Sequence, residues 1–234
     1  MKVTKLLSLV LVALLAVFLG ISCGGDDGGG GGPNLNLPQG ASSDWGIYKG
    51  WGNQAASFGV AEATDAGTQV MKVTWSHEKN LGEDGSGFGD TEMSAALPTP
   101  AGGKAVYGEF DGFTFDFKFG MGDQNLSILF DYGDNPNEPW FYKPSGWINA
   151  PSESNPVAWK TYKISFDDFE PAGWGRDDGE YSGTIQQWFK AFTDKEIKIF
   201  LRQGTGTERI DDVSYFKNIG FYKGNHEYII WYPK

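Results

Sequence analysis

The stretch Phe113-Thr114-Phe115-Asp116-Phe117-Lys118-Phe119 decides the fold class. Phe alternates with Thr, Asp and Lys at a strict period of two. Successive side chains of an extended strand point to opposite faces, so this segment lays all its rings on one face and its polar groups on the other. A helix would scatter the same rings around its circumference. The pattern recurs outward from there. Residues 68–75 set Met71, Val73 and Trp75 against Lys72 and Thr74. Residues 161–166 set Tyr162, Ile164 and Phe166 against Lys163 and Ser165. Residues 196–202 set Ile197, Ile199 and Leu201 against Lys198, Phe200 and Arg202. Residues 215–222 and 228–232 read as closing strands. Residues 126–132 are apolar at nearly every position, which marks a strand that is covered or used on both faces. Gly-, Pro- and Asp-rich turns separate these runs, and only 183–192 has a helical pattern. No βαβ rhythm is present. The expected fold is all-β: a two-sheet antiparallel β-sandwich of jelly-roll type.

Composition agrees with that reading. The chain has 234 residues, a length that one sandwich can absorb. Aromatic residues make up 15% and Gly numbers 34, the mixture of a β domain with many turns. The formal net charge of −11 excludes nucleic acid as a partner, because phosphate binding needs a basic face. The single Cys excludes an internal disulfide and a Cys-rich zinc site. His77 and His226 each precede a Glu and read as solvated loop positions rather than metal ligands.

The N-terminus reads as an address. Lys2 and Lys5 precede an apolar run from Leu6 to Phe18 that only Ser8 interrupts, and small residues follow at Gly20 and Ser22. The run is too short to span a bilayer comfortably. Cys23 comes next. A small residue followed by Cys at the end of an apolar stretch resembles the lipobox of bacterial lipoproteins, here with Gly20 where that motif usually carries Leu. The resemblance implies a signal peptide over 1–22, lipidation of Cys23 and a membrane anchor. Gly24 after the Cys resembles outer-membrane sorting, with the domain periplasmic or at the cell surface. Residues 23–43 then form the lipidated Cys and a Gly-rich tether, and 44–234 the β-sandwich binding domain.

Tests for catalytic constellations find little. Neither a G-x-S-x-G elbow nor a phosphate-binding G-x-x-x-x-G-K loop occurs. Gly85-Ser86-Gly87-Phe88-Gly89 lies among Glu83, Asp84 and Asp90, which would repel phosphate, so it reads as a loop. Glu109 and Asp111 are the best-spaced carboxylate pair, on one face of a strand. A glycosidase needs two carboxylates facing one cleft, and no Glu-rich motif supports that. The expectation is therefore that the protein is not an enzyme and uses no cofactor. Jelly-roll binding modules often hold a structural calcium ion, with which an acidic domain is compatible, but no metal ligands stand out.

The aromatic-rich stretch 131–147, DYGDNPNEPWFYKPSGW, is the most informative for binding. It joins Tyr132, Trp140, Tyr142 and Trp147 to Asp131, Asp134, Asn135, Asn137 and Lys143. Flat rings cover the C–H faces of sugars while amides and carboxylates meet the hydroxyls. The alternative is a Pro-stiffened loop whose rings cover the end of the sandwich. Trp45, Trp51 and Trp174 flank glycines and carry the same pair of readings. Arg202, opposite the apolar face of its strand, is placed either to hydrogen-bond a glycan or to pair with an acid.

The run Trp159-x-x-x-x-Ile164-x-Phe166-x-Asp168-Phe169, followed by Gly173-Trp174-Gly175, resembles the corresponding strand of galactose-binding-like jelly rolls. Family-eleven carbohydrate-binding modules and complex-I-assembly-factor-like domains carry it. The resemblance covers about 110–223, with Lys217-Asn218-Ile219 departing from the usual closing strand. It implies that Trp159, Ile164, Phe166 and Phe169 are core. Together with the aromatic-rich stretch and the lipobox, the leading expectation is non-catalytic binding of a poly- or oligosaccharide by a membrane-anchored surface lipoprotein, with Trp140, Tyr142, Trp147, Tyr132, Asp131, Arg202 and Trp174 as glycan-contacting residues. A structural or protein-binding surface lipoprotein on the same scaffold is the alternative, and a small glycoside hydrolase stands third.

Overall fold

The alternating Phe run is one strand of a sheet in the computed structural model, which describes residues 35, 37–40, 44–49, 59–78, 89–119, 125–131, 141–144, 148–149, 158–171, 183–205 and 209–231. These all belong to one compact unit, Asn34–Lys234, and the other unit, Met1–Pro33, lies outside the described residues together with Cys23 and the signal segment. The strands are β1 (Gly46–Lys49), β2 (Gly59–Asp65), β3 (Thr68–Glu78), β4 (Gly89–Ala96), β5 (Gly112–Lys118), β6 (Asn125–Asp131), β7 (Phe141–Pro144), β8 (Ile148–Asn149), β9 (Lys160–Ser165), β10 (Phe169–Pro171), β11 (Lys198–Thr205), β12 (Arg209–Lys223) and β13 (His226–Trp231). One helix, α1 (Ile185–Ala191), and two 3-10 turns, Lys104–Glu109 and Phe166–Asp168, complete the described elements.

Among the described residues these strands form two antiparallel sheets. One runs β1-β4-β11-β6-β7-β10, with β8 beside β6, and the other runs β2-β3-β12-β5-β9, with β13 beside β12. Several neighbours in each sheet are distant in sequence, as in β4–β11 and β5–β12, which is the cross-connection of a jelly roll rather than a simple meander.

Alternation places the core between the sheets. Phe113, Phe115 and Phe117 of β5 and Phe216 and Phe221 of β12 are fully buried. They meet Phe130 of the opposite sheet, whose ring centroid lies 5.7 Å from Phe113 and 6.1 Å from Phe221. Helix α1 closes one end. Its Thr184–Gln187 capping box satisfies the first backbone N–H groups. Its Phe189 ring stands 5.4 Å from Phe130 and 5.9 Å from Tyr107. The buried Tyr107 hydroxyl donates to the Pro98 carbonyl at 2.6 Å, and burial raises its pKa above the usual phenol range.

Two backbone devices shape the second sheet. Ala66 and Gly67, both at positive φ, make the two-residue β2–β3 turn, in which Asp65 pairs with Thr68. In β12 the register shifts between Lys217 and Gly220 on the β5 side and between Ile219 and Gly220 on the β13 side, with Asn218 at φ 53°. This is a β-bulge. A Cβ at Gly220 would sit 2.2 Å from the Tyr228 carbonyl oxygen, so the strands approach there only because the residue is Gly.

Several expectations change. Glu109 is not on a strand: it ends a 3-10 turn and pairs with Lys190 at 2.6 Å, while Asp111 accepts from the Gly224 amide at 2.7 Å. The best-spaced carboxylates thus serve two separate local contacts. His77 lies within β3 and His226 opens β13, so neither sits in a loop. Trp45 is buried, 5% exposed, with its ring 4.9 Å from Trp231. Trp159 is only half-buried: its N–H donates to Asp65 at 2.8 Å, and the Lys217 ammonium lies 4.3 Å from its ring. Packing also begins before 44. Leu37 is in the core, the Gly40 amide donates to the Ile230 carbonyl, and Gly40 bridges Trp231 in parallel.

Candidate functional site

The two sheets differ on their solvent-facing sides. The outer face of the second sheet is closed by its own polar groups. Asp65 accepts from Lys118 at 2.9 Å and from Trp159, and these hydrogen bonds, that from Lys118 foremost, hold its pKa below the ordinary carboxylate value. Beside them Asp116 accepts from Thr161 at 2.6 Å and from the Asn218 amide at 2.7 Å. Lys217 occupies a face of the Trp159 ring. An interlocked surface of this kind leaves little for a ligand to exchange against.

The outer face of the first sheet is built differently. In β6 the core takes Leu126, Ile128 and Phe130, and from β11 it takes Ile199 and Leu201, with Ile197 just before it and Met93 and Ala95 of β4. Ser127, Leu129 and Asp131, with Lys198, Phe200 and Arg202, therefore stand on the other side. Register aligns them in rows across the strands. Glu92, Arg202 and Ser127 form one row, with Tyr48 at the ladder position beyond Glu92. Ser94, Phe200 and Leu129 form the next. Ala96, Lys198 and Asp131 form the third, with Phe141 at the position beyond Asp131. Rows lie about 6.8 Å apart and strands about 4.8 Å apart.

Two of the three residues of the middle row are apolar. Leu129 packs against Phe200 in a cluster separate from the main core. The upper row holds a partly buried ion pair between Arg202 and Glu92, whose side chains are 17% and 12% exposed. The lower row carries Lys198, paired with Glu196 at 3.2 Å, and Asp131. The result is an apolar floor between two polar rows, a surface that matches an amphipathic ring with C–H faces and a hydroxyl rim. The apolar run of β6 is thereby explained: Leu129 is the residue that serves the second face.

Of the residues singled out from the sequence, Asp131 and Arg202 come onto this face. Tyr142 lies in β7 at the ladder position opposite Phe130. Tyr132, Trp140, Trp147, Trp174 and Trp51 lie outside the described residues. Part of the stretch read as a loop is strand: 141–144 pairs with β6 and β10, and Ile148–Asn149, just beyond the stretch, pairs with β6. Sequence reasoning missed Glu92, Ser94 and Leu129 as members of one surface. The signal was present only for Leu129, an apolar residue on the wrong parity of its strand. Glu92 needed the β4–β11 register, which no local pattern carries. Among the described residues, no three His, Cys, Asp or Glu side chains come together as a metal site.

No protein-family model matches the chain, and no curated protein does. Solved structures do resemble it. The family 11 carbohydrate-binding module of the cellulosomal cellulase Lic26A-Cel5E of Clostridium thermocellum is 14% identical, over 85% of this chain and 100% of that one, with a TM-score of 0.52. A family 11 module from Clostridium thermocellum in complex with a β-1,3-1,4-mixed-linked tetrasaccharide is 16% identical, over 77% and 89% of the two chains, with a TM-score of 0.49. CBM28, a module specific for non-crystalline cellulose, is 12% identical over 80% and 98%, with a TM-score of 0.41. The likeness is one of fold. It establishes the jelly-roll β-sandwich that the strand alternation called for, and the chemistry of the site has to be argued from its own residues.

Proposed function

We propose that this chain binds a poly- or oligosaccharide, without catalysis, across the outer face of the β4-β11-β6 sheet. The observation that carries the reading is the apolar floor of Leu129 and Phe200 between the Glu92–Arg202–Ser127 row and the Lys198–Asp131 row. The fold supports it, since sandwiches of this type serve as carbohydrate-binding modules. The aromatic residues Tyr132, Trp140, Tyr142 and Trp147 belong to the chain that leaves β6 and returns as β7 and β8. In this reading Tyr132, Trp140 and Trp147 supply the stacking surface, joined by Trp174, while Tyr142 shares the ladder position of the core residue Phe130 and is left out. We further propose that Cys23 is lipidated and that the domain works close to a membrane, on the acyl-chain arithmetic that makes multiple chains a stable anchor.

The experiment is affinity electrophoresis of residues 34–234 in gels containing neutral β-glucan, mannan or xylan. At least one polymer is expected to retard the domain. Trp140→Ala, Trp147→Ala and Phe200→Ala are each expected to weaken retention at least tenfold, about 1.4 kcal/mol. Salt up to about 0.5 M is expected to change little, since burial of C–H surface is not screened as charge contacts are. If no polymer retards the wild type, or if all three variants bind as it does, the sandwich is a scaffold instead.

A further inference from the structure

The glycan face carries charge in a particular form. Its cations on β4, β11 and β6, among the described residues, are Arg202 and Lys198, and each has an acid beside it: Glu92 for Arg202 and Glu196 for Lys198. The Arg202–Glu92 pair sits in the floor rather than on the rim, with both side chains more than four-fifths covered. A guanidinium matches a carboxylate in a planar, two-pronged geometry, so an Arg in a sugar site is a natural receptor for a uronate. Here a protein carboxylate already takes that place. Asp131 two rows away and a net charge of −11 make the field around the floor negative as well.

From this arrangement we propose that Glu92 determines the charge class of the ligand: by neutralising Arg202 within the floor it makes the face select uncharged glycans over uronate-bearing ones. The inference rests on the glycan-binding reading above. A uronate approaching Arg202 would have to displace Glu92 and leave that carboxylate partly buried without its partner, which is costly, or bind beside it and meet its charge at close range. An uncharged sugar meets neither obstacle, because hydroxyls donate to Glu92 and accept from Arg202 without disturbing the pair. Specificity of this kind comes from a repulsive element built into the floor.

The test compares retention by a neutral polymer and a uronate polymer, for instance xylan against polygalacturonate, for wild type, Glu92→Gln and Glu92→Gln/Arg202→Gln. Wild type is expected to be retained by the neutral polymer and to pass the uronate gel unretarded. Glu92→Gln should raise the uronate-to-neutral retention ratio at least tenfold. That gain should disappear at about 0.5 M salt and in the double variant, because it arises from the guanidinium charge of Arg202. If Glu92→Gln does not fold, as judged by its melting transition, the shorter Glu92→Ser replaces it and is read by the same ratio. Equal retention of wild type by both polymers overturns the inference. So does an unchanged ratio in the folded variants, or a gain that survives in the double variant. Failure of any neutral polymer to retain the wild type refutes the glycan-binding reading itself, and the inference falls with it.

Discussion

Leu129 and Phe130 are adjacent in β6 and both are buried, yet they should behave as members of different structures. Phe130 stands in the core, with its ring centroid 5.4–6.1 Å from those of Phe113, Phe166, Phe169, Phe189 and Phe221. Truncating it to Ala opens a void that five rings drawn from both sheets and α1 must fill, and such changes cost about 3–5 kcal/mol. Leu129 is 5% exposed but packs on Phe200 alone among the apolar clusters, on the solvent side of the sheet. Leu129→Ala removes three carbons at about 0.8 kcal/mol each, so about 2.4 kcal/mol is expected, below the cost at Phe130. Urea denaturation of both variants, with the slope of each transition checked against wild type, gives the two values directly. Leu129→Ala should in addition weaken polysaccharide retention several-fold. A Leu129→Ala cost equal to or above that of Phe130→Ala would refute the assignment of Leu129 to the outer face, and with it the floor of the candidate site.

Two further outcomes are expected. Asp65 is held below the ordinary carboxylate pKa of ~3.9 by hydrogen bonds from Lys118 and then Trp159, so its contribution to stability is present above that value and is lost as pH falls below it. Asp65→Asn should lower the melting temperature near pH 7, and the gap to wild type should narrow as pH approaches about 3; a gap that widens on acidification would contradict the pairing. Cys23→Ala should release the full-length protein from the membrane fraction into the soluble one, as read by detergent phase partitioning, and unchanged partitioning would rule out the lipid anchor.

What was legible in the sequence divides along a physical line. Strands that bury one face declare themselves by alternation, which is why β5, β3, β9 and β11 can be read from Phe113, Met71, Ile164 and Ile199 and their neighbours. The edge and short strands do not. In β7 four residues ending in Pro144 offer no repeat to detect, and in β1 the same holds for Gly46–Lys49. Strand β4 starts in Gly-Asp and ends in Ala-Ala, so Met93 and Ala95 carry its inward face with little hydrophobic contrast. Trp159 misled for another reason. A large ring ahead of a strand is read as core, but here its N–H is met by an Asp from a distant hairpin and its ring by a Lys, so the residue latches a surface instead. The candidate site was half legible. Arg202 and Phe200 follow from strand parity and Asp131 from the aromatic-rich stretch, whereas Glu92 becomes a neighbour of Arg202 only through a pairing 110 residues apart.

The contrast between the two outer faces bears on where a ligand would bind. On the β12-β5-β9 side, Asp65, Lys118, Trp159, Asp116, Thr161 and Asn218 satisfy one another, and a sugar hydroxyl placed there would have to replace bonds already made at 2.6–2.9 Å. On the β4-β11-β6 side the ion pair and the apolar row lie side by side; Leu129 is itself nearly covered, and the half-buried Phe200 offers water no hydrogen bond. Displacing that water by a C–H face is favourable in proportion to the apolar area covered, and the flanking Glu92, Arg202 and Ser127 meet the hydroxyls that come with it. Binding should therefore follow the side of the sandwich whose polar groups flank an apolar floor, not the side with the greater number of hydrogen bonds.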